Sequence, residues 1–165
     1  QTQNNLFDQI ETGAISEKDF LNGIQNLAGK TTHNEIKSAW NSMILNLPDS
    51  RVKSIQKVKS KYKIFLLSNT NSIHIAEFKR KIGDLKYDKF YNLFEKIYYS
   101  HEIGYRKPNK EAFQIILNEN KLIANEVFFI DDSYQHIKTA KSLSINTHHL
   151  KYDEDLTAIL ADITQ

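Results

Sequence analysis

A hydroxyl, an ammonium group and two carboxylates stand in this chain where a parallel sheet would collect them. Ser68 follows the apolar run Phe65-Leu66-Leu67, Lys107 precedes Pro108, and Asp131 and Asp132 follow Val127-Phe128-Phe129-Ile130. In open α/β sheets, ligands bind outside the carboxyl ends of the strands. Two adjacent carboxylates at such an end repel each other unless a cation lies between them, so the pair points to Mg²⁺. The Ser68 hydroxyl and the backbone N–H of Asn69 lie just ahead of a helix N-terminus, where free donors and the helix dipole favour an anion. Pro108 biases Lys107 to an extended backbone, so its side chain projects at a helix start. Each residue also has a plainer reading: Ser68 and the Asp pair as helix caps, Lys107 as a solvated loop lysine. Their gathering on one edge of one sheet is what favours chemistry.

The elements that would position them fall into two kinds. The first sixty residues read as helices without intervening strands. Asn5 to Glu11 is a short helical piece. Ser16-x-x-Asp19 resembles a capping box and opens a helix presenting Phe20, Ile24 and Leu27, which Gly29 closes. Thr32-x-x-Glu35 is a full capping box before Ile36, Ala39, Trp40, Met43 and Ile44 at helical spacing. Asn46 to Asp49 is a break, and a fourth helix follows from about Ser50 to Lys61. Four helices in sequence should form a small antiparallel bundle.

From Lys63 the pattern alternates. Strands are expected over Lys63 to Ser68, Lys96 to Ser100, Glu126 to Asp131 and Asn146 to Leu150. Helices are expected over Ser72 to Lys86, Asn109 to Asn120, Tyr134 to Leu143 and Asp153 to Ile163, with a single turn at Phe90 to Phe94. Strand–helix alternation implies right-handed βαβ units and a parallel sheet. Val127 to Ile130, apolar throughout, reads as a fully buried strand.

Composition excludes several classes. A chain of 165 residues, 40 % hydrophobic and with a net charge of +2, suits one globular domain or a core with a small insertion, and gives no argument for a nucleic-acid partner. No apolar run reaches membrane-spanning length and no export signal is visible, so no membrane association is expected. The absence of cysteine removes disulfides and thiolate metal sites and fits a cytoplasmic setting. Lys53, Lys57, Lys59, Lys61 and Lys63 oppose an apolar stripe of Val52, Ile55, Val58 and Tyr62, and read as a solvated face. Trp40 and the group Tyr87, Phe90, Tyr91 and Phe94 read as core or cap contacts, not base-stacking platforms.

In the order Ser, Lys, Asp-Asp, these residues resemble motifs II, III and IV of the haloacid dehalogenase-like (HAD) superfamily. Phe65 to Asn71, Lys107-Pro108-Asn109 and Phe128 to Ser133 are similar to the branch holding bacterial sugar-phosphate phosphatases and the N-terminal phosphatase domain of soluble epoxide hydrolase. Gly13-x-Ile15-Ser16 and Trp40-Asn41 resemble that branch's inserted helical cap. The resemblance implies an α/β, Rossmannoid parallel sheet over residues 49–165, preceded by a cap over 1–48. It implies a Mg²⁺-dependent phosphatase of a small phosphorylated metabolite, acting through an aspartyl-phosphate. Ser68 and the Asn69 N–H would hold the phosphoryl group. Lys107 would neutralise charge, Asp132 would bind Mg²⁺ directly or through water, and Asp131 would support it. Where some relatives carry another acid four positions after Asp132, this chain has His136.

The resemblance also implies a first motif, a strand ending in Asp-x-Asp that supplies the nucleophile and lies between the strands ending at Ser68 and Asp131. No such strand precedes the cap here. The expectation is therefore a longer natural protein, an inactive chain as given, and no direct pairing of Lys63–Ser68 with Glu126–Asp131. Asp153-Glu154-Asp155-Leu156-Thr157 matches the missing pattern in letters, but at the wrong end; Asp153 reads as a helix N-cap. The alternative function is a catalytically silent scaffold. Chain order argues firmly against a receiver domain, since there the acidic pair comes first and the lysine last. Dehalogenation needs no metal, so the acidic pair favours phosphatase. His101, near the same edge, has no assignable partner.

Overall fold

A computed structural model describes residues 2–164. Helices α1 (Thr2–Glu11), α2 (Glu17–Ala28) and α3 (His33–Asn41) pack on one another. Their starts follow the expected chemistry. Ser16 accepts the Asp19 N–H at 3.1 Å, and Thr32 and Glu35 form a complete capping box. Ile10, Phe20, Leu21 and Ile36 form their shared core, and Ile73 of α5 (Ser72–Ile82) joins it, which docks these helices on the α/β part. Helix α4 (Asp49–Lys59) departs from the expected bundle. It packs instead on α10 (Leu156–Ile163), and Tyr62 donates its hydroxyl to the Ile163 carbonyl at 3.2 Å. Its lysines are exposed, although Lys59 and Lys61 reach the carbonyls of Asn92 and Thr164.

The sheet consists of two parallel pairs. β1 (Phe65–Ser68) pairs with β2 (Lys96–Tyr99), and β3 (Phe128–Asp131) with β4 (Asn146–His149). Registers of Ser68 with Tyr99 and Asp131 with His149 bring both pairs to an end at the same kind of position. β1 and β3 share no ladder, as expected. One core of Leu67, Tyr98, Ala112, Phe113, Ala140 and Ile145, with Phe65, Val127 and Phe129 against it, nevertheless draws residues from both pairs.

β3 itself carries one correction. Phe128 is 49 % exposed and the rest of β3 is half-buried, so this is not the fully covered strand its composition suggests. An apolar strand without a neighbour on one side stays partly wet. Further corrections concern boundaries. Gly83, at φ +80°, stops the helix expected to run to Lys86, and a separate α6 (Asp84–Tyr91) replaces the single turn near Phe90. After β2 the chain makes a short helix, α7 (Ser100–Ile103), before α8 (Lys110–Glu119). The strand expected from Glu126 begins at Phe128, because Ala124–Glu126 is a 3₁₀ turn. Helix α9 (Tyr134–Ser142) follows β3. No helix among the described residues is long and apolar enough to cross a membrane.

Candidate active site

The site lies at the carboxyl ends of β1 and β3 and is built from loops that hold one another. The Asn71 side chain caps α5 by accepting the His74 N–H at 3.0 Å, so Ser68 is not needed as a cap. The Ser68 hydroxyl makes no hydrogen bond within the described residues. Ser100, fully buried at the end of β2, accepts the Thr70 N–H at 2.9 Å and donates to the Thr70 carbonyl at 3.1 Å. That two-way bond fixes the loop leaving β1 against the end of β2.

Lys107 is not a solvated loop lysine; it is 8 % exposed. Its Nζ donates to the Leu67 carbonyl at 2.9 Å and to Asp131 Oδ2 at 2.7 Å, and it lies 5.6 Å from the centre of the Phe129 ring. Its backbone is held by Asn69, whose Oδ1 accepts the Lys107 N–H at 2.8 Å and whose Nδ2 donates to the Lys107 carbonyl at 2.8 Å. Asn109 stands at the N-cap of α8 without a side-chain bond.

The two acids divide their work. Asp131 Oδ1 accepts the Ser133 N–H at 2.8 Å and meets His136 Nδ1 at 2.8 Å, while Oδ2 takes Lys107. An ionised carboxylate only accepts, so His136 carries its hydrogen on Nδ1 here. Burial pulls the Asp131 pKa upward. The Lys107 charge and the bonds from Lys107, Ser133 and His136 outweigh it and hold the pKa below the usual carboxylate value. Asp132, by contrast, is exposed, and its carboxylate has no hydrogen-bond partner among the described residues. Only its backbone carbonyl is engaged, by His149 Nε2 at 3.1 Å. A hard cation such as Mg²⁺ takes one or two carboxylates and keeps several waters, and Asp132 suits that role. No group of three or more metal-ligating side chains occurs among the described residues.

The N-terminal helices grip the segment that carries Lys107. Arg106 pairs with Asp8 and with Glu11 of α1, the latter at 2.8 Å. Gly13, at φ +67°, lies so close to the His101 carbonyl that a Cβ would collide with it. His101 itself stacks on Tyr99 at 5.8 Å.

The structure therefore brings Lys107 and Asp131 into contact and Asn69 with them, places Ser68 directly beside Asn69 in the chain, and leaves the Asp132 carboxylate without a partner among the described residues. Asp153 is corrected as a cap: Asp155 fills that place, accepting the Thr157 N–H at 2.9 Å, while Glu154 turns to Lys151 and His148. Sequence reasoning missed the side-chain role of Asn69, the His136 contact and the Arg106 clasp. Only the amide type of Asn69, one residue after the strand, hinted at its capacity to bond in two directions.

Comparison with known proteins gives consistent relatives. A family model described as haloacid dehalogenase-like hydrolase matches residues 7–149. A D-ribitol-5-phosphate phosphatase from Bacteroides thetaiotaomicron is 27 % identical over 168 residues, covering 96 % of this chain and 79 % of the relative. The crystal structure of a HAD family enzyme from the same organism, wild type, in complex with magnesium and inorganic phosphate, is 34 % identical with a TM-score of 0.83, covering 93 % of this chain and 78 % of that one. A predicted HAD-like family hydrolase from Porphyromonas gingivalis is 26 % identical with a TM-score of 0.80, covering 97 % and 79 %.

Proposed function

The chain belongs to the haloacid dehalogenase-like hydrolases, and from that premise we propose that it provides the phosphate- and metal-binding half of a Mg²⁺-dependent phosphatase for a small phosphorylated metabolite such as a sugar or polyol phosphate. The observation that carries the reading is the buried Lys107–Asp131 pair at 2.7 Å, beside a Ser68 hydroxyl and an Asp132 carboxylate that have no partner among the described residues. Residues 1–48 act as the cap and 49–165 as the α/β core.

Each residue has a role that phosphoryl transfer needs, namely positioning and charge stabilisation. Ser68 and the Asn69 N–H hold the phosphoryl oxygens. Lys107, held by its pair with Asp131, faces the developing negative charge. Asp132 would hold Mg²⁺, which when bound would neutralise phosphoryl charge. Asp131 keeps Lys107 in place and supports Asp132. The substrate class is supported by the relative named as a D-ribitol-5-phosphate phosphatase.

The attacking carboxylate is a separate matter. β1 and β3 share no ladder, and beyond Asp131 no carboxylate among the described residues bonds to Ser68, Asn69 or Lys107. Residues 1–165 by themselves are therefore proposed not to turn over. The test is phosphate release from p-nitrophenyl phosphate, with and without Mg²⁺, by residues 1–165 and by the full reading frame that contains them. The expected result is Mg²⁺-dependent turnover by the full reading frame only, lost with Lys107→Ala. Binding without turnover in every form would favour a silent scaffold.

A further inference from the structure

We infer that the Asn69 side chain is a positioning residue that sets where the Lys107 ammonium sits; the inference rests on the phosphoryl-transfer reading above. Asn69 touches no reacting group through its amide. Instead the amide makes two bonds of 2.8 Å to the backbone of one residue, accepting from the Lys107 N–H and donating to the Lys107 carbonyl. A planar amide presents one acceptor and one donor side by side, and two such bonds fix both the place and the direction of the peptide they meet. The reverse orientation of the amide would set donor against donor and acceptor against acceptor.

The other end of the lysine is held by the same stretch of chain. Lys107 Nζ donates to the carbonyl of Leu67, two residues before Asn69, at 2.9 Å. The β1 exit thus grips Lys107 at its backbone through Asn69 and at its ammonium through Leu67. With both ends held, the four-carbon stem has little freedom left, and Nζ is delivered to Asp131 Oδ2 at 2.7 Å. Release of the backbone end would let the ammonium wander, because a lysine is a point charge on a flexible stem.

The residue type matters. Asp at position 69 keeps the acceptor for the Lys107 N–H but sets a second oxygen against the Lys107 carbonyl. Ala removes both bonds. Neither change should unmake the loop, since Thr70 is bonded independently to buried Ser100 in both directions. The backbone N–H of Asn69, assigned above to the phosphoryl group, survives in both variants.

The test is NMR of isotope-labelled lysine side chains, with the Lys107 signal identified by its loss in Lys107→Arg. In Asn69→Ala and Asn69→Asp the Lys107 signal should move toward those of the exposed lysines. Affinity for inorganic phosphate with Mg²⁺ in the full reading frame should fall about tenfold, the change expected from losing one or two hydrogen bonds. The double variant Asn69→Ala with Lys107→Ala should bind phosphate no more weakly than Lys107→Ala alone, because Asn69 acts only through Lys107. A Lys107 signal unmoved in either folded variant, or additive losses in the double variant, would overturn the inference. A moved signal together with wild-type phosphate affinity in Lys107→Ala would leave the Asn69 role standing and overturn the phosphoryl-transfer reading instead.

Discussion

Lys107 Nζ lies 2.7 Å from Asp131 Oδ2, and through this pair one side chain ties together the ends of two strand pairs that share no ladder. Both side chains are at most a tenth exposed. Removing the ammonium leaves a buried carboxylate unpaired, so Lys107→Met should lower unfolding free energy by about 3 kcal/mol in denaturant titration. Lys107→Arg should recover little of it, since a guanidinium does not fit a slot built for a point charge. A loss within experimental scatter for Lys107→Met would show the pair to be structurally idle.

The same pair sets an acid limit. Asp131 has a pKa held below its ordinary value, so its stabilising contribution is complete above the unfolded-state pKa of about 4 and is lost as the pH falls through the lower folded-state value. The wild-type melting temperature should therefore fall below about pH 4, more steeply than that of Asp131→Asn, which lacks this titration.

His74 predicts a second, milder pH window. Its ring stacks on Trp40 at 5.0 Å, at the junction of α3 and α5. Burial lowers its pKa and outweighs the opposing bond to the Trp40 carbonyl. A depressed histidine pKa means stability that is present above the unfolded value of about 6.5 and is lost as the pH falls through the folded value. Melting temperature measured between pH 7.5 and 5 should drop in the wild type and drop less in His74→Phe, which keeps an aromatic ring against Trp40. Equal slopes would remove His74 as the cause.

His136 should be replaceable by asparagine and not by alanine. The side-chain amide introduced by His136→Asn can still donate to Asp131 Oδ1, where His136 Nδ1 now lies at 2.8 Å. His136→Ala should cost about 1–2 kcal/mol in unfolding free energy, with His136→Asn costing less than half of that. Equal losses would mean that the ring packing of His136, not its bond to Asp131, is what counts.

Gly13→Ala tests the seat of the N-terminal helices. The added methyl would press into the His101 carbonyl oxygen at a positive φ that alanine rarely adopts. Both effects point the same way, and a loss of about 2 kcal/mol or more is expected by thermal unfolding. A variant as stable as the wild type would mean that α1 and the His101 segment can separate freely.

Much of the edge was legible in sequence because its signals are local. Capping at Ser16 and Thr32, the apolar runs before Ser68 and Asp131, and the strand–helix alternation each depend on a few neighbouring residues. What was not legible depends on distant partners. Nothing near Val52 or Ile55 says that α4 packs on α10 and not on α3. Nothing near Asn69 says that its amide faces Lys107, 38 residues on. The composition of Val127 to Ile130 describes a strand covered on both sides, whereas β3 pairs only with β4 and Phe128 is half in solvent. Gly83 is a local signal too: at φ +80° it stops the helix that the flanking residues would otherwise continue.

The most direct measurement is Mg²⁺-dependent phosphate release by the full reading frame, compared with its Asp132→Asn variant. Asp132 is exposed and contributes no side-chain bond to the fold among the described residues, so the variant should stay folded. The expected result is a loss of activity of roughly a hundredfold or more, the scale of removing a metal's charge from phosphoryl transfer, partly restored at high Mg²⁺. Full activity in Asp132→Asn, or wild-type turnover indifferent to Mg²⁺, would contradict it.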